Sequence, residues 1–124
     1  MALALVVVTS GCAATALSSG SEFDRTRAEV TDQLAVLLLA ADVADRHGPV
    51  PGLDVTFAQA RDELASARST TLGMAATPDT ARLLDVLDQV HPVAAALESA
   101  AAEGDRPGVL AARRELVAVT DGLA

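Results

Sequence analysis

Along four stretches of the chain, apolar residues recur at alternating spacings of three and four, the pattern of helices that each bury one stripe. The first runs through Phe23, Val30, Leu34, Leu37, Ala41 and Ala44, apart from a gap at Arg27. Ser21, followed at the third position by Asp24, reads as its N-cap, and His47-Gly48-Pro49 as its end. There glycine can adopt the left-handed conformation that closes a last turn, and proline cannot continue it. The second helix is expected from near Asp54, with the stripe Leu53, Phe57, Ala60, Leu64, Ala67, Thr71 and Met74. Thr77-Pro78-Asp79 is a strong start for the third: threonine caps, proline suits the first turn, and the acid complements the helix dipole. Its stripe is Leu83, Leu87, Val90, Ala94, Leu97 and Ala101, with Pro92 expected to kink the helix rather than break it. Gly104-Asp105 closes the third helix and caps the fourth, whose stripe is Val109, Ala112, Leu116, Val119 and Leu123.

Four stripes joined by short connections predict an all-α, up-down-up-down four-helix bundle over residues 22–124. The fourth helix is the shortest, so a three-helix bundle with a loose C-terminal helix is the alternative. One stretch exceeds what a single stripe requires. Leu34-Ala35-Val36-Leu37-Leu38-Leu39-Ala40-Ala41 has no polar residue on any face. Val36, Leu38 and Leu39 are therefore either buried between two neighbouring helices or exposed as an interface for a protein partner or a second copy of the chain.

Composition strengthens the helical reading. Of the 124 residues, 51% are hydrophobic but only 2% aromatic, so the core must be built from alanine, leucine and valine. Alanine is the best helix former, because it loses no side-chain entropy on folding. The net charge of −8 is spread over a chain with no lysine, all nine basic residues being arginine, and without a basic patch. Such a surface repels nucleic acid. The alanine and arginine usage also points to a high-GC bacterial source.

The amino-terminal segment reads as an address rather than a core element. A short apolar run, Ala2 to Val8, leads into Thr9-Ser10-Gly11-Cys12, which contains the only cysteine. This motif resembles the lipobox of bacterial lipoproteins, with Gly11 and Cys12 at its two most constrained places, although Thr9 stands where an aliphatic residue is usual. The resemblance implies that residues 1–11 are a signal segment and that Cys12 is lipidated, as with palmitate, and becomes the first mature residue. Residues 12–21, small and polar, would then form a flexible tether. The alternative is Ala14-Thr15-Ala16 as an ordinary cleavage site that releases a secreted soluble protein.

Chemistry is sparse elsewhere. His47 and His91 are the only histidines, and neither belongs to a Cys-x-x-Cys-His or Glu-x-x-His motif, so no metal or cofactor is expected. Asp42 with Asp45, Asp62 with Glu63, and Asp85 with Asp88 read as solvated acidic faces, partly offset by pairs such as Asp42 with Arg46 one turn on. Ser66, Ser69, Thr70 and Thr71 read as a fraying helix end. No nucleophile elbow, phosphate loop or dinucleotide fingerprint occurs, and no catalytic residue is assigned. The expected function is therefore that of a non-enzymatic lipoprotein, anchored at the extracytoplasmic face of the cell membrane and acting through protein contacts at the envelope. A bundle that senses a small ligand or a metal outside the cytoplasm is the alternative.

Overall fold

The computed structural model describes the backbone of residues 2–123 and the side chains of residues 21–123. Four helices follow in order: α1 (Ala2–His47), α2 (Leu53–Leu72), α3 (Pro78–Glu103) and α4 (Arg106–Asp121). No strand occurs among the described residues. Each helix packs on the next, α4 returns to α1, and α1 also touches α3 across the middle, which makes a closed four-helix bundle. Asp45 pairs with Arg106 and Asp42 with Arg113, while Arg68 pairs with Asp88 and Arg61 with Glu98. Rising residue numbers thus meet falling ones in both seams, so α4 runs antiparallel to α1 and α3 to α2. The short links at 48–52 and 104–105 complete the up-down-up-down order. With Val109, Ala112 and Leu116 buried, α4 is a full member of the bundle rather than a loose tail.

Local chemistry sets most helix ends. Gly48 takes φ +68° and donates its N–H to the Ala44 carbonyl, closing α1 in the left-handed conformation that glycine tolerates. The Thr77 side chain accepts from the Thr80 N–H, and the Thr80 hydroxyl accepts from the Thr77 N–H, a reciprocal box at the start of α3. Gly104 closes α3, also at φ +68°, and Asp105 caps α4 by accepting from the Gly108 N–H at 3.1 Å. Helix α3 continues through Pro92 without a break.

One end departs from the sequence expectation. Helix α1 begins at Ala2, so Ser21 is an interior residue rather than an N-cap, and the backbone over 12–21 is helical where a flexible tether was expected. An alanine- and leucine-rich run with no proline has enough intrinsic propensity to carry a helix across two glycines. The side chains of residues 1–20, and with them Cys12, lie outside the described residues. No described helix is long and apolar enough to cross a membrane.

The core contains the expected stripes and more. Val30, Leu34, Leu37, Ala41 and Ala44 are buried, and Ala40 and Thr26 join them. In α3 the additional residues are Thr80, Val86, Val93 and Ala100. These additions flank the central stripe because each helix of a closed bundle meets two neighbours, and the buried arc widens accordingly. Phe23, Leu53 and Val119 are partly buried against the core edge, and Met74, placed in the second stripe, is half-buried beyond the end of α2.

Candidate functional site

The predicted interface residues separate. Val36 and Leu38 are half-buried and pack against the core, whereas Leu39 is 66% exposed. On the α1 wheel Leu39 points opposite the Leu34–Leu37–Ala41 stripe. The other large exposed apolar residues among those described are Val55 and Leu72, near opposite ends of α2, and Val117 on α4. Single exposed apolar side chains are ordinary on a protein surface. Accordingly, Leu39→Glu is expected to change folding stability by no more than about 0.5 kcal/mol. Urea denaturation checks this, and a loss above about 2 kcal/mol would show Leu39 buried against something in solution.

Three of the paired acids, Asp42, Asp45 and Asp88, bridge to an arginine on another helix, a role the sequence pattern did not reveal. Asp42 accepts from Arg113 Nε at 2.7 Å, not from Arg46 on its own helix, and Asp45 accepts from Arg106 Nε at 2.6 Å. Asp85 accepts from Gln89, and Asp88 from Arg68 Nε at 2.8 Å. Across the α1/α2 seam two acids meet instead. Glu29 has its carboxyl pKa raised above the ordinary range, first by a hydrogen bond with Glu63, then by burial, then by the charges of Glu63 and Asp32. Among the described residues no group of three or more His, Cys, Asp or Glu side chains is placed to hold a metal ion. His47 is exposed at the end of α1 and His91 is exposed on α3.

A groove of about 440 Å³ between α2 and α3 combines polar side chains with an apolar floor. Its apolar floor includes Leu64, Leu87, Val90 and Ala94, all buried in the core. Arg61, Arg68 and Ser69 stand on the α2 side, with Asp88 and His91 on α3. Arg61 and Arg68 are seven residues apart, two turns or about 10.5 Å along one face. Antiparallel register sets His91 between them, since Arg61 pairs with Glu98 and Arg68 with Asp88 on either side of it.

The Nε of Arg61 is buried and has no hydrogen-bond partner, the only such side-chain atom found among the described residues. A buried donor without an acceptor is disfavoured by about 1–3 kcal/mol. Ser69 faces a groove, and its neighbour Thr71 is buried with its hydroxyl donating to the Ala67 carbonyl at 2.7 Å. For Thr71 the fraying-end reading is corrected. A smaller groove of about 250 Å³, lined by Val50, Leu53, Phe57 and Ala101 among others, lies at the end of the bundle where α2 begins.

In comparisons with known proteins, no family model, no curated protein and no solved structure matched this chain.

Proposed function

We propose that the chain is a non-enzymatic lipoprotein, a four-helix bundle held through lipid on Cys12 at the extracytoplasmic face of the cell membrane and acting through protein contacts at the envelope. The observation that carries this reading is the sequence Thr9-Ser10-Gly11-Cys12, whose cysteine stands fourteen positions before Thr26, the first buried side chain among the described residues. A single acyl chain gives only marginal membrane binding, whereas the several chains of a mature lipoprotein hold firmly. The turn of α1 bearing Val36, Leu38 and Leu39 is the proposed contact point for a protein partner or a second copy. Two of these residues are seated on the core, and Leu39 is presented to solvent.

Growth with labelled palmitate tests the anchor. The wild-type chain is expected to carry label and sediment with membranes, and Cys12→Ala to lose the label and move to the soluble fraction. An unlabelled wild-type product, or unchanged fractionation of Cys12→Ala, overturns the proposal. A mature chain starting at Leu17 would instead establish cleavage after Ala14-Thr15-Ala16 and a secreted protein.

The α2/α3 groove favours a second reading, a bundle that binds a small ligand outside the cytoplasm. Its volume lies within the range of small-molecule sites, and its lining has the usual composition, an apolar floor with a few convergent polar groups.

A further inference from the structure

We infer that the outer face of α1 pairs with the same face of a second copy of the chain, the two α1 helices running antiparallel about a two-fold axis at Leu39. The inference rests on the reading of this turn as a contact point and commits it to one partner and one register. Successive residues of a helix are about 100° apart, so Asp32, Ala35, Val43 and Arg46 all fall within about 40° of Leu39 on the wheel. Asp32, Ala35, Leu39 and Arg46 are exposed, and Val43 is half-buried. Helices α2 and α4 flank α1, and α3 touches it across the middle of the bundle, so nothing within the chain covers this face.

The order of charges along the face selects the partner. Asp32 stands seven positions before Leu39 and Arg46 seven after, which sets an acid and a base two turns, about 10.5 Å, to either side of the leucine. A two-fold axis at Leu39 reverses that order in the second helix. Asp32 of each copy then meets Arg46 of the other, and Ala35 meets Val43, a small residue opposite a larger one. Both charges are available for this role, since the four ion pairs among the described residues include neither Asp32 nor Arg46. Parallel pairing would set Asp32 on Asp32 and Arg46 on Arg46, with repulsion at both ends. The patch is thus its own complement, which is the requirement of an interface that uses the same surface on both subunits.

The pairing is weak by construction. One exposed leucine between an alanine and a valine is a small patch, well under the roughly 1,200 Å² that stable interfaces bury. Confinement of the copies to one membrane surface, as proposed for the lipidated chain, raises their effective concentration and makes a weak contact sufficient. At the low concentrations of a urea titration the dimer is dissociated, so it adds nothing to folding stability there.

Sedimentation equilibrium of the full-length chain carrying Cys12→Ala, from about 0.02 to 1 mM at low salt, tests the pairing. The parent is expected to pass from monomer to dimer with a Kd on the order of 0.1 mM, and Leu39→Glu to stay monomeric throughout. Asp32→Arg turns both symmetry-related pairs from attraction to repulsion and should weaken the dimer about tenfold, as should Arg46→Asp. The double exchange Asp32→Arg/Arg46→Asp restores both pairs with their signs reversed. It should dimerise within about threefold of the parent. All these positions are exposed, and circular dichroism establishes that the variants remain helical.

A parent that stays monomeric up to about 1 mM overturns the second copy as partner, while the palmitate and fractionation results decide the anchored lipoprotein separately. Dimerisation lost in Leu39→Glu but not recovered by the double exchange would show this face pairing in another register, and the antiparallel assignment would fall. Association that none of the substitutions alters runs through a different surface and overturns the inference as well.

Discussion

Truncating Phe57 to alanine is expected to remove about 3–5 kcal/mol of folding stability, enough to bring a domain of ordinary stability close to its unfolding threshold. Phe57 is 1% exposed and the largest of the fully buried side chains, in a chain with only two phenylalanines. The cost of a large-to-small change has two parts, the lost transfer of carbon from water and the cavity left behind. The cavity part should be high. Buried neighbours available to relax into the space include Ala60, one turn on in α2, and Ala101, which lines the same end of the bundle. Alanine has no rotamer through which to fill a void. Urea titration should show a lower midpoint with an unchanged slope. A loss below about 1 kcal/mol would mean that the end of the bundle closes over the site and that its packing is softer than the burial indicates.

Gly108→Ala should cost about 2–4 kcal/mol, far more than the change of one methyl group suggests. Glycine is needed here for space and not for an unusual φ. A Cβ at this position would collide with Oδ2 of Asp105 and lie 2.9 Å from its Cγ and 3.0 Å from the Ala100 Cβ. Two losses combine. Asp105 must swing away from the Gly108 N–H that it caps, a cap worth about 0.5–2 kcal/mol. The contact between α3 and α4 at Ala100 must also open, and overpacking of this kind typically costs about 1–3 kcal/mol. The double variant Asp105→Ala/Gly108→Ala removes the collision along with the cap. It should therefore be less destabilised than the sum of the two single changes, a coupling that thermal melts of the four proteins would measure. Strict additivity would show that Asp105 already avoids the added methyl.

Helix ends set by local chemistry were legible in the sequence. Gly48, Thr77 and the Gly104-Asp105 pair each act on groups within a few residues, so a short window contains the whole argument. The central stripes were legible for the same reason, since periodicity is a property of one helix. The start of α1 was not. Ser21 has the chemistry of a cap, but a cap competes with continued helix, and the run before it is helix-favouring enough to prevail. What depends on register between helices was hidden altogether. Asp42 is equally well spaced for Arg46 and, through space, for Arg113, and only the packing of α4 on α1 decides between them. The groove is a similar case. Arg61 and Arg68 are ordinary surface residues of α2 until α3 brings His91 opposite the turn between them. The apolar run of α1 exceeds a single stripe in the sequence. Its division into half-buried Val36 and Leu38 and exposed Leu39 required the positions of both neighbours.

The alanine content of the core also shapes how the bundle responds to temperature. Among the described residues, nine of the twenty-three buried hydrophobic ones are alanine, from Ala40 in α1 to Ala112 in α4. Each withdraws far less carbon from water than a leucine would, and it is this withdrawal that gives unfolding its positive heat-capacity change. A smaller heat-capacity change flattens the curve of stability against temperature. The bundle therefore gains little at its optimum, and it gives up correspondingly little on either side, in the cold as well as the heat.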